Sequence, residues 1–378
     1  MAKIKSKKLT GSKGKNLLKG GSANDVLLGL DGNDTLLGGA GGDTLNGGTG
    51  IDTISYAGSN AAVSVNLASN KASGGHATKD KILGFENVIG SSYNDHITGS
   101  RGANVLDGGA GNDKINGGAG DDTVFGGVGA DILAGSSGSD TISYNGSTSG
   151  VTVDLARNKA SGGDARGDKI SGFENAIGSA FDDVLTGTRG GNVLEGGSGN
   201  DKLYGDAGND TLKGEDGSDW LFGGSGNDTL DGGDGNDAFE GGDGDDKVYG
   251  GSGDDDLAGD NGADTLDGQV GNDTIWAGQG DDFLFGGEGA DVFTFSLSAG
   301  DDRVEDFEDG VDQLHILSNF GLTADDIVNA TIQVGLEAVI DLGQSTTITL
   351  VNYFANAGVT REDIAKNIVI FDSQHIYA

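Results

Sequence analysis

Between Gly178 and Thr294 one nine-residue pattern runs through thirteen consecutive copies, Gly-Gly-x-Gly-x-Asp-x-U-x with U apolar. Two clear copies are Gly196-Gly197-Ser198-Gly199-Asn200-Asp201-Lys202-Leu203-Tyr204 and Gly223-Gly224-Ser225-Gly226-Asn227-Asp228-Thr229-Leu230-Asp231. Position 1 is Gly in twelve of the thirteen, Ala277 being the exception, and position 4 in twelve, with Phe181 the exception. Position 6 is Asp in twelve, with Asn192 the exception, and position 8 is apolar throughout. With 75 glycines in 378 residues, chance would place only about two or three in such a column, so the period marks a structural repeat.

So strict a period leaves few folds. The apolar residue at position 8 lies between polar 7 and 9, a three-residue strand with one side chain inward. The six residues before it must turn the chain, and glycine at 1, 2 and 4 supplies backbone angles that other residues avoid. Two nines close one rung of 18 residues, stacking Asp201 on Asp219 and Asp237, and Asp210 on Asp228 and Asp246. The expected fold is all-β: a parallel β-roll, a right-handed β-helix solenoid of 18 residues per rung.

Along the chain, residues 1–19 form a basic tail, and 20–55 a first nonapeptide block with Asp25, Asp34, Asp43 and Asp52 at position 6. Residues 56–89 break the register, with strands expected at Val63-Ser64-Val65-Asn66-Leu67 and Phe85-Glu86-Asn87-Val88-Ile89. The second block, 90–143, carries Asp95, Asp113, Asp122, Asp131 and Asp140, with Asn104 in its second copy. The insert then recurs at 144–177, where Val151–Leu155 and Phe173–Ile177 follow their counterparts by 88 residues. About two-thirds of positions match between 62–120 and 150–208, an internal duplication. Each insert is too short and too poor in large apolar residues to hold its own core, and reads as wider rungs that continue the coil without the nonapeptide turns.

The third block, 178–295, carries Asp183, Asp201, Asp210, Asp219, Asp228, Asp237, Asp246, Asp255, Asp264, Asp273, Asp282 and Asp291. Beyond it, 296–378 reads as a small C-terminal capping region covering the open strand edges of the solenoid. Strands are expected at Ala338–Leu342, Thr347–Val351 and Ile368–Phe371. Thr323 and Thr360 read as helix N-caps, with Asp326 and Asp363 at the third helical position.

The formal charge is −37, from 60 acidic and 23 basic residues, which argues against nucleic acid as a partner. There is no cysteine, hence no disulfide or thiolate site, and no proline, as suits a ladder that uses every backbone N–H. Stacked carboxylates about 4.8 Å apart repel by roughly 1 kcal/mol in water and about 3–4 kcal/mol at an effective dielectric of 20. Repeated along both edges, that repulsion would split the stack unless a hard cation bridges it. Calcium, which takes six to eight oxygen ligands from carboxylates and turn carbonyls, suits the site better than the compact octahedron of magnesium. The position-6 aspartates named above are therefore the candidate calcium ligands, the inserts read as calcium-free rungs, and calcium is not assigned to turns built on Asn104 and Asn192, which depart from the pattern. Asn-Asp and Asp-Gly pairs are also ordinary turn formers, but an uninterrupted array favours the metal.

The nonapeptide array resembles the repeats-in-toxin (RTX), haemolysin-type calcium-binding family, from about residue 20 through nearly the whole chain. The run Ala290–Phe295 followed by Asp301–Asp312 resembles that family's closing segment. The resemblance implies multiple calcium ions held between turns. It also implies export from a Gram-negative cell by type I machinery, through an uncleaved C-terminal signal within 296–378. The expected location is secreted and extracellular, with folding on reaching calcium. Met1–Thr10 is lysine-rich with no apolar run behind it, so a cleavable leader is not expected, nor is a membrane span.

Members of the family usually carry a catalytic or pore-forming domain ahead of the repeats. Here the repeats begin near residue 20, and no His-Glu-x-x-His or Gly-x-Ser-x-Gly constellation stands out. The four histidines, His76, His96, His315 and His375, are scattered. No enzyme is expected. With 18-residue rungs, Lys202, Tyr204, Trp220, Phe222 and Trp276 share one outward face, where a polysaccharide could stack, or where neighbouring strands simply pack. The leading expectation is a non-enzymatic protein of the cell surface or extracellular matrix, or one that binds polysaccharide. Its alternatives are a secretion and stability module serving a separate enzyme or toxin, and an unrecognised extracellular enzyme.

Overall fold

The computed structural model describes residues 5–296, 299–318, 323–334, 336–343, 346–353 and 359–372. They fall into two compact units, Met1–Leu185 and Thr186–Ala378, each a parallel β-solenoid. His375 and Met1–Ile4, considered above, lie outside the described residues.

In the first unit, strands Lys8–Thr10, Val26–Asp31 and Thr44–Thr49 pair in parallel, with Leu9, Leu27 and Leu45 in register. Leu17–Gly21, Thr35–Gly39 and Thr53–Ser55 make the second stack. The first insert continues both: Lys81–Leu83 pairs with Thr44–Thr49, and Asn87–Ser91 with Thr53–Ser55. Its surplus residues form an antiparallel hairpin, Ser64–Asn66 with Lys71–Ser73, and one 3-10 turn, Gly75–Ala77; Ser64–Asn66 then carries the coil on by pairing in parallel with His96–Thr98. The second insert repeats this construction with Lys169–Ser171, Asn175–Ile177, the hairpin Val151–Asp154 with Lys159–Gly162, and the turn Gly163–Ala165.

In the second unit the nines stack without interruption. Lys202–Ala207, Trp220–Ser225, Ala238–Asp243 and Asp256–Asn261 follow one another in one sheet. Val193–Ser198, Thr211–Asp216, Thr229–Asp234, Lys247–Ser252 and Thr265–Val270 form the other. These strands are six residues long, against the three expected, because pairing resumes at position 2: Gly197, Glu215, Gly233 and Gly251 are partners in sequence. A positive φ there, 111° at Gly197 and 104° at Gly233, turns the chain while keeping it beside its neighbour. Leu30, Ser136, Asp206, Glu215, Asp260 and Gln269 take the same conformation despite their Cβ, at about 1–2 kcal/mol each.

The core of each unit is a double file of position-8 side chains, fully buried at Leu27, Leu36 and Leu45 in the first unit and at Leu257, Leu266 and Ile275 in the second. In the second unit the parallel stack ends on Thr346–Leu350. That strand pairs with Asp301–Val304 in parallel and with Glu337–Gly343 antiparallel, and Thr331–Val334 closes the meander. Ile368–Asp372 completes the other sheet against Gln313–Ser318. Helices Ala324–Ala330 and Arg361–Ile364 both start with the expected capping boxes on Thr323 and Thr360. No helix among the described residues is long and apolar enough to cross a membrane.

Candidate metal centre

The rung turns deliver their position-6 Asp to equivalent places along each stack. The carboxylate points back along the stack, and its Oδ1 accepts the main-chain N–H of the aspartate one rung earlier. In the second unit the N–H groups of Asp210, Asp228, Asp246 and Asp264 donate to Asp228, Asp246, Asp264 and Asp282 at 2.7–2.9 Å. On the opposite edge Asp201, Asp219, Asp237, Asp255 and Asp273 donate to Asp219, Asp237, Asp255, Asp273 and Asp291 over the same range. The expected stacking of like charges is therefore correct, but half of each carboxylate is spent on the backbone. A second ladder runs outside it in the opposite sense: position-5 amides such as those of Ser218 and Asn227 donate to Asn200 and Asn209 of the rung before.

The other oxygen decides the chemistry. Oδ2 of Asp25, Asp34, Asp43, Asp52, Asp113, Asp122, Asp131 and Asp140 in the first unit is buried with no hydrogen-bond donor. So is Oδ2 of Asp210, Asp228, Asp237, Asp246, Asp255, Asp264, Asp273, Asp282 and Asp291 in the second. A buried anionic oxygen without a partner costs several kcal/mol unless it is protonated or paired with a cation. Position-1 glycine explains the shape around it. A Cβ on Gly205 would lie 2.5 Å from Asp210 Oδ2 and 2.5 Å from the Gly223 carbonyl oxygen of the next rung; on Gly241 it would lie 2.7 Å from Asp246 Oδ2 and 2.7 Å from the Gly259 oxygen. Two acceptors, one charged, thus face one spot that only glycine leaves open. Among the described residues no three acidic or imidazole groups converge, so carbonyls must complete any cation's shell. That donor set fits calcium.

Burial raises the pKa of several of these carboxyls, in line with the same geometry. Asp264 is pushed up to about 8, and Asp131, Asp210, Asp255 and Asp282 to about 7, by desolvation first and by neighbouring aspartates after it.

Two expected ligands depart from the row. Asp95 and Asp183 have both oxygens engaged: Ser91 and Ser179 donate their N–H to Oδ2 and their hydroxyl to Oδ1. Neither serine takes the positive φ usual at position 2, and its amide points inward to the carboxylate. At Asn104, Oδ1 accepts from Ser100, and Nδ2 donates to the Glu86 carbonyl at 2.6 Å. The amide supplies its own positive end there.

The inserts hold residues that the nonapeptide pattern does not reveal. Asp80 and Asp168 accept the amides of Asp43 and Asp131, and Glu86 and Glu174 those of Asp52 and Asp140. The spare oxygens of Asp80 and Asp168 accept the hydroxyls of Tyr56 at 3.1 Å and Tyr144 at 3.0 Å. Asp302 and Asp312 extend the second unit's rows, below Asp282 and Asp291. Asp312 Oδ2 accepts the Glu308 amide at 2.7 Å, which closes its row. The signal was present, since Tyr56, Asp80 and Glu86 recur 88 residues on as Tyr144, Asp168 and Glu174.

Comparison with known proteins supplies the family. The RTX calcium-binding nonapeptide repeat model matches residues 19–54, 83–115, 110–142, 177–212, 204–238, 213–248, 231–266 and 258–293, together more than half of the chain. The chain belongs to the RTX calcium-binding repeat family. It is a calcium-binding β-roll protein, whose segments outside the matches are the inserts and the two ends. The solution structure of the AlgE6R3 subunit of the Azotobacter vinelandii mannuronan C5-epimerase is 29% identical over 33% of this chain and 78% of its own, with a TM-score of 0.26. The crystal structure of the extracellular lipase LipA from Serratia marcescens is 18% identical over 75% of this chain and 40% of its own, also with a TM-score of 0.26. No curated protein matches the sequence.

The expected aromatic face of this RTX roll is assembled as its register requires. Tyr204 and Phe222 stack at 4.8 Å between ring centroids and 6° between planes, and Trp220 meets Phe222 edge-on at 6.3 Å. Lys202 Nζ lies 4.7 Å from the Trp220 ring centre. Trp276 sits three rungs further on, across an open trough. Another groove, in the first unit, runs along Ile89, Val105 and Phe125 and carries Asp107, apart from the aspartate rows.

Proposed function

We propose that the protein is secreted, folds when calcium fills the aspartate rows, and then acts without catalysis at a cell surface or in the extracellular matrix. The buried, donorless Oδ2 atoms carry this reading, because two rows of them per unit leave the roll dependent on a cation it must meet after export. The rows pair each carboxylate with the amide of the preceding rung, so a bound calcium joins neighbouring turns rather than decorating one. Calcium supplies positive charge and oxygen coordination; this chain's glycines, carbonyls and Asp Oδ2 atoms supply the shell. The ligands we assign are the position-6 aspartates with a donorless Oδ2, in both units.

Export by a type I route fits the same picture, since a chain unfolded at low calcium can thread a narrow exporter. Binding at a surface is supported by Trp220 and Trp276, exposed on one sheet face at 51% and 39%. Retention on cells and on immobilised glycans, compared in calcium and in chelator, tests the role. Calcium-dependent retention is expected, and its absence on every surface would remove the surface-binding reading while leaving the metal chemistry intact.

A further inference from the structure

We propose that the trough between Trp220 and Trp276 binds a polymer of amino sugars whose amines are unsubstituted and protonated. This rests on the surface-binding reading above and narrows it to one site and one chemistry.

Strand register builds the trough. Trp220 is followed on successive rungs by Ala238, Asp256 and Thr274, while Phe222 is followed by Glu240, Ala258 and Trp276. Large rings thus stand at both ends and alanines lie between them, leaving an open volume of about 380 Å³. Tyr204 and Lys202 lie on the rung before and cover one side of Phe222 and Trp220. The opposite sides of both rings line the trough. Three rung steps separate the tryptophans, about 14 Å at the usual strand spacing, which suits a short run of linked rings rather than one small molecule.

The walls and floor select a ligand type. Flat aromatic faces stack on the C–H faces of sugar rings and attract cations above them. Lys202 over Trp220 is an internal instance of that attraction. Glu240 and Asp256, both exposed, sit diagonally beside the alanines, one on each column. Two carboxylates there pair with ammonium groups and repel uronate or sulfate chains, and the net charge of −37 adds to the repulsion.

Both tryptophans of the chain border the trough, so their fluorescence reports on it directly. Glucosamine oligomers, their fully N-acetylated counterparts, oligouronates and an oligolysine of matched charge are titrated into the calcium-loaded full chain. The free-amine oligomer should give a saturable change, with the N-acetylated chain weaker by about tenfold or more. Trp276→Ala and the double variant Glu240→Gln, Asp256→Asn should each weaken it by about as much, with circular dichroism unchanged. Equal binding of N-acetylated or uronate chains, sensitive to Trp276→Ala, would overturn the amine assignment but leave polysaccharide binding standing. An equal response to oligolysine, or to no saccharide at all, would overturn the trough itself, and the cell-retention assay then decides the parent reading separately.

Discussion

The two units use one repeat in different ways. In the first, the inserts cut the aspartates into short rows. Asp25 and Asp43 run into Asp80 with its tyrosine, Asp34 and Asp52 into Glu86, and the second copy repeats both endings at Asp168 and Glu174. Each stretch between endings holds only two aspartates with a donorless oxygen. In the second unit one row passes from Asn192 through Asp210, Asp228, Asp246, Asp264 and Asp282 to Asp302 without a break. Its partner row ends on Asp312. Repeat solenoids gain stability from nearest-neighbour interfaces, so the uninterrupted rows should respond to calcium more cooperatively than the short ones.

Chelation gives the largest test of that difference. Removing calcium should abolish the strand signal in circular dichroism. Stepwise return should restore protease resistance to the second unit before the first. Simultaneous recovery of both would show that the inserts do not divide the response.

Acid should substitute in part for the metal. An unfolded aspartate titrates near 3.8, whereas Asp264 is raised to about 8 and Asp210, Asp255 and Asp282 to about 7 in the fold. The folded roll therefore binds more protons than the unfolded chain. That stability is fully present below about pH 4 and is lost as pH rises through 6–8. In chelator, strand signal should grow as pH falls from 8 towards 4. In the first unit Asp131 is raised to about 7 and Asp113 and Asp122 to about 6, so the same direction is expected there. Apparent calcium affinity should fall across the same range, because protons compete for the same oxygens. A metal-free roll more stable at pH 8 than at pH 5 would contradict this.

A single substitution in each unit sharpens the contrast. Asp246 lies between Asp228 and Asp264, so Asp246→Asn removes a charge shared by two neighbours. At calcium a hundred times the dissociation constant, losing one site costs about 2.7 kcal/mol. Asp122 lies between Asn104 and Asp140, and Asp122→Asn should cost less. Denaturant unfolding in calcium measures both, and equal losses would mean that row position does not matter.

The smallest effect belongs to the row endings. Tyr144→Phe strips the donor from Asp168 Oδ2 and should cost about 1–3 kcal/mol at limiting calcium. The deficit should shrink at saturating calcium, as a cation takes over the hydroxyl's place. A deficit independent of calcium would make Tyr144 an ordinary core contact.

Much of this was legible in the repeat. The 18-residue rung, the inward file of position-8 residues and the pairing of Asp210 with Asp228 all follow from period and register, since a stack of identical turns brings identical residues together. The capping boxes on Thr323 and Thr360 were equally local. Two aspartates that the period grouped with the rest, Asp95 and Asp183, were separated from it by serine amides, a matter of one φ angle that the motif does not encode.

The sequence alone thus determined which residues stack, because stacking depends only on chain length per turn. Tertiary structure decided what each carboxylate meets there. A backbone amide takes Oδ1 along the rows, and at Oδ2 the choice falls between a nearby backbone amide, a tyrosine hydroxyl and no protein donor at all. That choice depends on a tyrosine 24 positions away or on the direction of a single N–H, and it separates the aspartates poised for calcium from those already satisfied.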